Sequence, residues 1–199
     1  GPARSAALKV ESTLPQRLRD HLREVTRAVS IKLAPTNPLD DHQSTYETLL
    51  SAIARRRAVR IRYDSFTERE VIATKLKPYR LVFSRRSWYV IGRSSLHRAT
   101  RTFNLGRMKA IEILDERYTI PSRFSLDRFL RNAWHLIPED GLDHEVHVRF
   151  QPLVAGNVAE VLWHKTQRIE RRADGSLDYY ATVSGLGEIS WWVLGYGDQ

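Results

Sequence analysis

The chain of 199 residues contains no cysteine and a single methionine. Without thiols it can form no disulfide, no thiol nucleophile and no cysteine-ligated metal site. It also lacks any apolar run approaching a membrane span, and its N-terminal stretch has no basic head followed by the apolar segment of a secretory signal. A cytoplasmic location is therefore expected, with no membrane partner. Catalytic patterns are missing as well. No arrangement specifies a nucleophilic triad, a carboxylate pair or a redox site, so neither an enzyme nor a cofactor is expected. Gly185-Leu186-Gly187 lacks the longer glycine pattern and the Lys-Ser or Lys-Thr of a phosphate loop, and reads as a turn into a helix. His144 and His147 beside Glu145, with His164 elsewhere, do not have metal-site spacing, and Asp40-Asp41 reads as a polar approach to a helix.

What is present is unevenly distributed charge. Between Thr45 and Ile120 there are seventeen Arg or Lys against seven Asp or Glu, a balance of +10, so the whole formal surplus of +9 comes from the middle of the chain. Arginine outnumbers lysine there by fourteen to three. Solubility requires no such segregation, whereas an anionic partner gains from a focused field and from planar, bidentate guanidinium contacts to phosphate. Nucleic acid or a nucleotide is the natural candidate. The 42% of apolar residues can supply the cores of one or two compact domains.

Leu14, Leu18, Leu22, Val25 and Val29 recur at helical spacing, with Ser12 or Thr13 as the cap, and Pro35-Thr36-Asn37-Pro38 prevents continuation. This helix reads as a brace or as a dimer element. A second helix is expected near Ser44, with Glu47 completing a capping box and Tyr46, Leu49, Leu50 and Ile53 as its stripe, ending at Arg55-Arg56-Arg57. Strand signals follow. Val59, Ile61 and Tyr63 alternate with Arg60 and Arg62. Val71 to Leu76 and Tyr79 to Phe83 are separated by Pro78, and Trp88 to Arg93, a strand near Arg101 and Ala110 to Asp115 come next. Five short, closely connected strands fit a small barrel, because closure removes exposed edges. Further on, Val146, Val148 and Phe150 alternate as a strand, and Val158, Val161, Leu162 and Trp163 suggest a short helical face. Asp174-Gly175 turns into a strand from Leu177 to Val183, and Ile189, Trp192, Val193 and Tyr196 form a second stripe with Trp191 partly off it.

These residues resemble the WYL-domain family of bacterial transcriptional regulators, with Trp88-Tyr89-Val90 standing for the Trp-Tyr-Leu motif. Ile61-Arg62-Tyr63, Leu76-Lys77-Pro78-Tyr79-Arg80-Leu81 and Arg101-Thr102-Phe103-Asn104-Leu105-Gly106-Arg107-Met108 support it by order and spacing, and the resemblance runs from Leu14 to Gly197. It implies an α+β protein: connector helices over residues 1–44, an Sm-like or SH3-like five-stranded barrel with its preceding helix over 45–120, a linker with a possible short helix over 121–143, and a truncated ferredoxin-like αβ extension over 144–199. It also implies an N-terminal winged helix-turn-helix that reads double-stranded operator DNA, expected to be absent from this chain. The implied activity is effector sensing and homodimerisation, with single-stranded DNA or a nucleotide-like ligand on a basic barrel surface. A structural or protein-interaction module is the alternative.

Arg101 and Arg107 match the family's arginine-bearing segment and are the leading effector-binding candidates, because a guanidinium stays charged and grips phosphate with two donors. Arg93 and Arg62 are expected to extend the basic rim. Tyr89 is a candidate for stacking a base while Trp88, of opposite strand parity, stays in the core, and His97 is a candidate anion donor. Tyr63 and Phe103 read more readily as core than as stacking platforms.

Overall fold

A computed structural model describes residues 10, 12–28, 40–139 and 141–199, with the side chains at positions 23, 25–28 and 40 left aside. The chain divides into two compact units, residues 1–36 and residues 37–199.

In the first unit, α1 spans Gln16–Ala28. Its start differs from the expected cap. The carbonyl of Pro15 accepts from the amides of Leu18 and Arg19, while the Thr13 hydroxyl donates to the Val10 carbonyl at 2.7 Å. Proline cannot donate into a preceding turn, so the helix begins behind it. Leu18 and Leu22 are exposed. Val29 and the Pro35-Thr36-Asn37-Pro38 stop lie outside the described residues, as does the Val25 side chain.

The second unit opens with a 3-10 turn at Asp40–His42 and helix α2 at Gln43–Arg55. The expected capping box does not form. His42 holds the N-cap position without a side-chain bond, Ser44 lies inside the helix, and the Glu47 carboxylate accepts from Gln43 Nε2 at 2.8 Å. Leu49 and Ala52 are fully buried, Tyr46 packs beside them, and Leu50 points to solvent. The helix stops where Arg56 turns left-handed at φ 54°.

Five antiparallel strands follow: β1 Arg57–Ser65, β2 Glu70–Ser84, β3 Ser87–Ser94, β4 Thr100–Asn104 and β5 Met108–Arg117. They form one sheet in the order β4-β3-β2-β1-β5, and a 3-10 turn at Leu105–Arg107 carries the chain from one edge strand to the other. Period-two alternation decides what goes inside: Val59, Ile61 and Tyr63 of β1 meet Ile72, Leu76, Val90, Phe103 and Met108 in a core covered by α2. Trp88 contributes as core, with its ring 4.9 Å from Tyr46 and 5.4 Å from Phe83.

Pro78 does not divide the second strand in two. β2 runs through it, and the pairing with β3 slips between Pro78 and Arg80. A bulge tolerates the missing N–H and leaves Tyr79 buried against Tyr118 and Phe124. Gly92 sits opposite, where a Cβ would lie 2.4 Å from the Lys77 carbonyl, so only glycine permits this approach.

After β5 the chain passes through a short helix, α3 at Leu126–Leu130, whose Ser125 cap accepts from the Arg128 amide. It then enters a second sheet of β6 His144–Phe150, β7 Arg168–Arg171 and β8 Leu177–Val183, ordered β6-β8-β7, with helices α4 Pro152–Ala159 and α5 Gly187–Leu194. Tyr179, Phe150, Leu177, Val158, Ile189 and Trp192 form its core. The first of these helices ends before the expected face of Val161, Leu162 and Trp163. Leu162 is 77% exposed, and Trp163 instead packs on Trp192 and donates Nε1–H to the Val158 carbonyl at 3.0 Å. The opposite sheet face buries Asp178, which accepts from His147, Arg149 and Arg172; these bonds hold its carboxyl well below the usual range.

Between the sheets, residues 132–139 are fastened on both sides. The Leu136 carbonyl accepts from the Thr102 hydroxyl of β4 at 2.8 Å. The Glu188 carboxylate, at the start of α5, accepts from the amides of His135, Leu136 and Ile137 at 2.8, 3.3 and 3.3 Å. Burial pushes the Glu188 carboxyl up while these three donors oppose it; burial and the nearby Arg85 charge lower His135 to about 4.

Candidate effector-binding cavity

A cavity of about 550 Å³ opens where the ends of β1, β4 and the 3-10 turn face the linker. Tyr63 and Ser65 come from β1, Thr67 and Glu68 from the following turn, His97 from the β3–β4 turn, residues 100–103 from β4 and Arg107 from the 3-10 turn. Phe129, Ile137, Pro138 and Glu139 supply the far wall. Its size lies within the range of small-ligand sites.

Arg107 is aimed by its backbone. Asn104 Oδ1 accepts from the Gly106 amide at 2.8 Å, tightening the turn that presents the arginine. The half-buried guanidinium lies 4.4 Å from the Phe66 ring centroid and 5.2 Å from that of Tyr63. Among the described residues it has no hydrogen-bond or ion-pair partner, so aromatic faces hold it while its donor edge stays available. Tyr63 is itself fixed, edge-on to Phe103 at 5.0 Å, its hydroxyl accepting from the Asn104 amide at 3.3 Å. Burial raises the Tyr63 pKa, and the Arg107 charge opposes that rise.

His97 reaches the cavity with both ring nitrogens engaged, Nδ1 with Ser94 Oγ at 2.9 Å and Nε2 with Glu68 Oε1 at 3.0 Å. It is therefore built into the wall. Glu139 is likewise occupied, accepting from the Gly187 amide at 2.9 Å. Two arginines, Arg101 and Arg107, thus share the lining with two carboxylates, Glu68 and Glu139.

Of the expected site residues, the structure brings Arg101, Arg107 and His97 to this cavity, and leaves Arg62, Arg93 and Tyr89 out of its lining. Arg62 is exposed on the outer face of β1, opposite Ala73 and Ala110. Tyr89 is half-buried opposite Asn104 and Val82. Arg93 lines a separate cleft. Sequence reasoning missed Phe66, Phe129 and the Ile137-Pro138-Glu139 wall. Only Phe66, an aromatic in a polar turn, carried a local signal.

Comparison with known families matches the WYL domain over residues 44–113 and the WCX domain over residues 142–199. This is a WYL-domain protein with a WCX extension. Among solved structures it is similar to the proteasome accessory factor B/C (PafBC) of Arthrobacter aurescens, at 19% identity and a TM-score of 0.40, over 83% of this chain and 25% of that one. The chain thus spans about a quarter of that structure's length. No curated protein gave a significant match. The cavity is shared by the WYL domain and the linker that leads into the WCX domain. No helix among the described residues is long and apolar enough to cross a membrane.

Proposed function

We propose that this chain is the effector-sensing part of a DNA-binding transcriptional regulator, with single-stranded DNA or a nucleotide-like ligand as the effector of the Arg101–Arg107 cavity. The observation that carries the reading is Arg107, half-buried, stacked on aromatic rings and lacking a partner among the described residues. A half-buried guanidinium with its donor edge unpaired can hold a phosphate through two charge-assisted bonds. The two carboxylates of the lining limit its net charge to what a nucleotide-sized ligand can balance. The 3-10 turn joining β4 to β5 fits the Sm-like barrel of the family, and the β6-β8-β7 order fits three strands of a ferredoxin-like extension.

The decisive measurement is fluorescence anisotropy of labelled oligonucleotides at several salt concentrations. The chain is expected to bind a short single strand more tightly than a duplex of matched sequence, with affinity falling as salt rises. Equal, weak binding to single strand, duplex and heparin would reject a selective site.

Binding is proposed to act through a homodimer. Leu18 and Leu22 of α1 are exposed, as are Leu153, Leu162, Trp191 and Leu194 of the WCX domain, and among the described residues β6 has an unpaired edge. Sedimentation equilibrium is expected to show a concentration-dependent monomer–dimer mixture. A monomer at every concentration, with and without oligonucleotide, would remove dimerisation from the proposal. Operator DNA would then be read by another domain of the regulator, through a change in the balance between two arrangements.

A further inference from the structure

The other cleft is chemically unlike the cavity. It measures about 710 Å³ and gathers Arg55 and Arg56 from the end of α2, Lys77 from β2, Arg93 from β3 and Arg117 from β5. Among the described residues no carboxylate lies in its lining. Lys77 is neutralised by Glu116 at 3.2 Å, but Arg55, Arg56, Arg93 and Arg117 make no ion pair among the described residues. The helix C-terminus accounts for a cation at Arg55. It does not account for Arg93 and Arg117, which strands bring in from distant parts of the sequence. Gathering like charges costs repulsion that a polyanion relieves.

The floor decides how such a ligand is held. Tyr79 and Tyr118 are buried, and the Tyr118 hydroxyl donates to the Pro78 carbonyl, so neither ring is presented for stacking. Recognition is left to exposed guanidinium groups, which grip phosphate without reading bases. Register then connects the two sites. Arg93 pairs with Lys77 on one side and with Thr100 on the other, and Thr100 lines the Arg101–Arg107 cavity. Cross-strand neighbours on one face stand about 5 Å apart, so the two sites meet at Thr100 of the edge strand β4, around which one strand of nucleic acid would pass to reach Arg101 on the other face.

We propose that the Arg55–Arg93–Arg117 cleft holds consecutive backbone phosphates of a single nucleic-acid strand whose end occupies the cavity, a statement that rests on the nucleic-acid reading above. An acidic peptide would share the attraction but not the bidentate fit of arginine to phosphate, nor the continuation into a cavity with two carboxylates of its own.

The test uses the whole chain and two labelled probes, a thymidine dinucleotide and an oligothymidylate of about 12 nucleotides. Arg93 and Arg117 are exposed, so the Arg93→Ala/Arg117→Ala double variant is expected to keep its fold, checked by circular dichroism and by unchanged dinucleotide binding. The longer probe should lose at least about tenfold in affinity, and the slope of log K against log salt should shrink by about 0.7 per lost phosphate contact. Polyglutamate should fail to displace the oligonucleotide. Unchanged affinity and slope for the longer probe would overturn the cleft, as would displacement by polyglutamate at matched charge. If Arg107→Ala abolishes dinucleotide binding while the cleft variant behaves as wild type, the cavity stands and the cleft falls. The reverse pattern removes the cavity and keeps the cleft.

Discussion

Replacing Arg107 by alanine is expected to weaken binding of a single-stranded oligonucleotide by about tenfold or more, roughly 1.5–3 kcal/mol, and Arg101→Ala should fall in the same range. The magnitude follows from a charge-assisted bond made in a partly desolvated place. Arg107 is half-buried over Tyr63 and Phe66, so its grip on a phosphate competes with less water than a surface arginine would meet. The two losses need not add, since a single phosphate can bridge both side chains. Titration should be accompanied by circular dichroism and thermal melting, because Arg107 also packs on Tyr63 of the core. Native-like variants that retain full affinity would reject these arginines as the site.

The second large effect concerns adjacent tryptophans of one helix. Trp192 is 8% exposed and touches Trp134, Phe150, Trp163, Tyr179 and Tyr196, whereas Trp191 is 77% exposed. Trp192→Ala is expected to destabilise the protein by about 3–5 kcal/mol through the lost apolar contact and the cavity left behind. Trp191→Ala should change stability by no more than about 0.5 kcal/mol. Urea unfolding followed by far-UV circular dichroism measures both. A similar midpoint for the two variants would contradict this facing of the helix.

The difference between these neighbours was readable from residue spacing alone, since Ile189, Trp192, Val193 and Tyr196 share a helical stripe and Trp191 falls beside it. Alternation in β1 was readable for the same reason: one face of a sheet is buried, so Val59, Ile61 and Tyr63 declare its period. Local chemistry was less informative where two arrangements compete for the same groups. Ser44 and Glu47 have capping-box spacing, yet Gln43 takes the carboxylate and the helix begins before the serine. Pro78 reads as a break because it lacks a donor, but a shifted register accommodates it within one long strand.

The candidate site divides along similar lines. Arg101 and Arg107 line one cavity because β4 and the 3-10 turn are continuous in sequence. Which strands are neighbours, and in what register, is not written in one strand's alternation: Arg93 comes to pair with Thr100, so Arg101 faces the other side of the sheet and the two arginines line different clefts. The wall formed by Ile137, Pro138 and Glu139 is about thirty residues from Arg107 in sequence and has no periodicity to announce it.

That wall has a consequence for signalling. The backbone of residues 135–137 hangs from one carboxylate on α5, while Thr102 grips the Leu136 carbonyl from the cavity side. A ligand that displaces Ile137 or Glu139 therefore pulls on the first turn of the last helix, and a partner that shifts that helix reshapes the ligand's enclosure. Linkage makes such a tether work in both directions by the same factor. On the proposed function, a partner docking on the WCX domain would change the effector concentration needed for binding, with Glu188 as the joint between the two places.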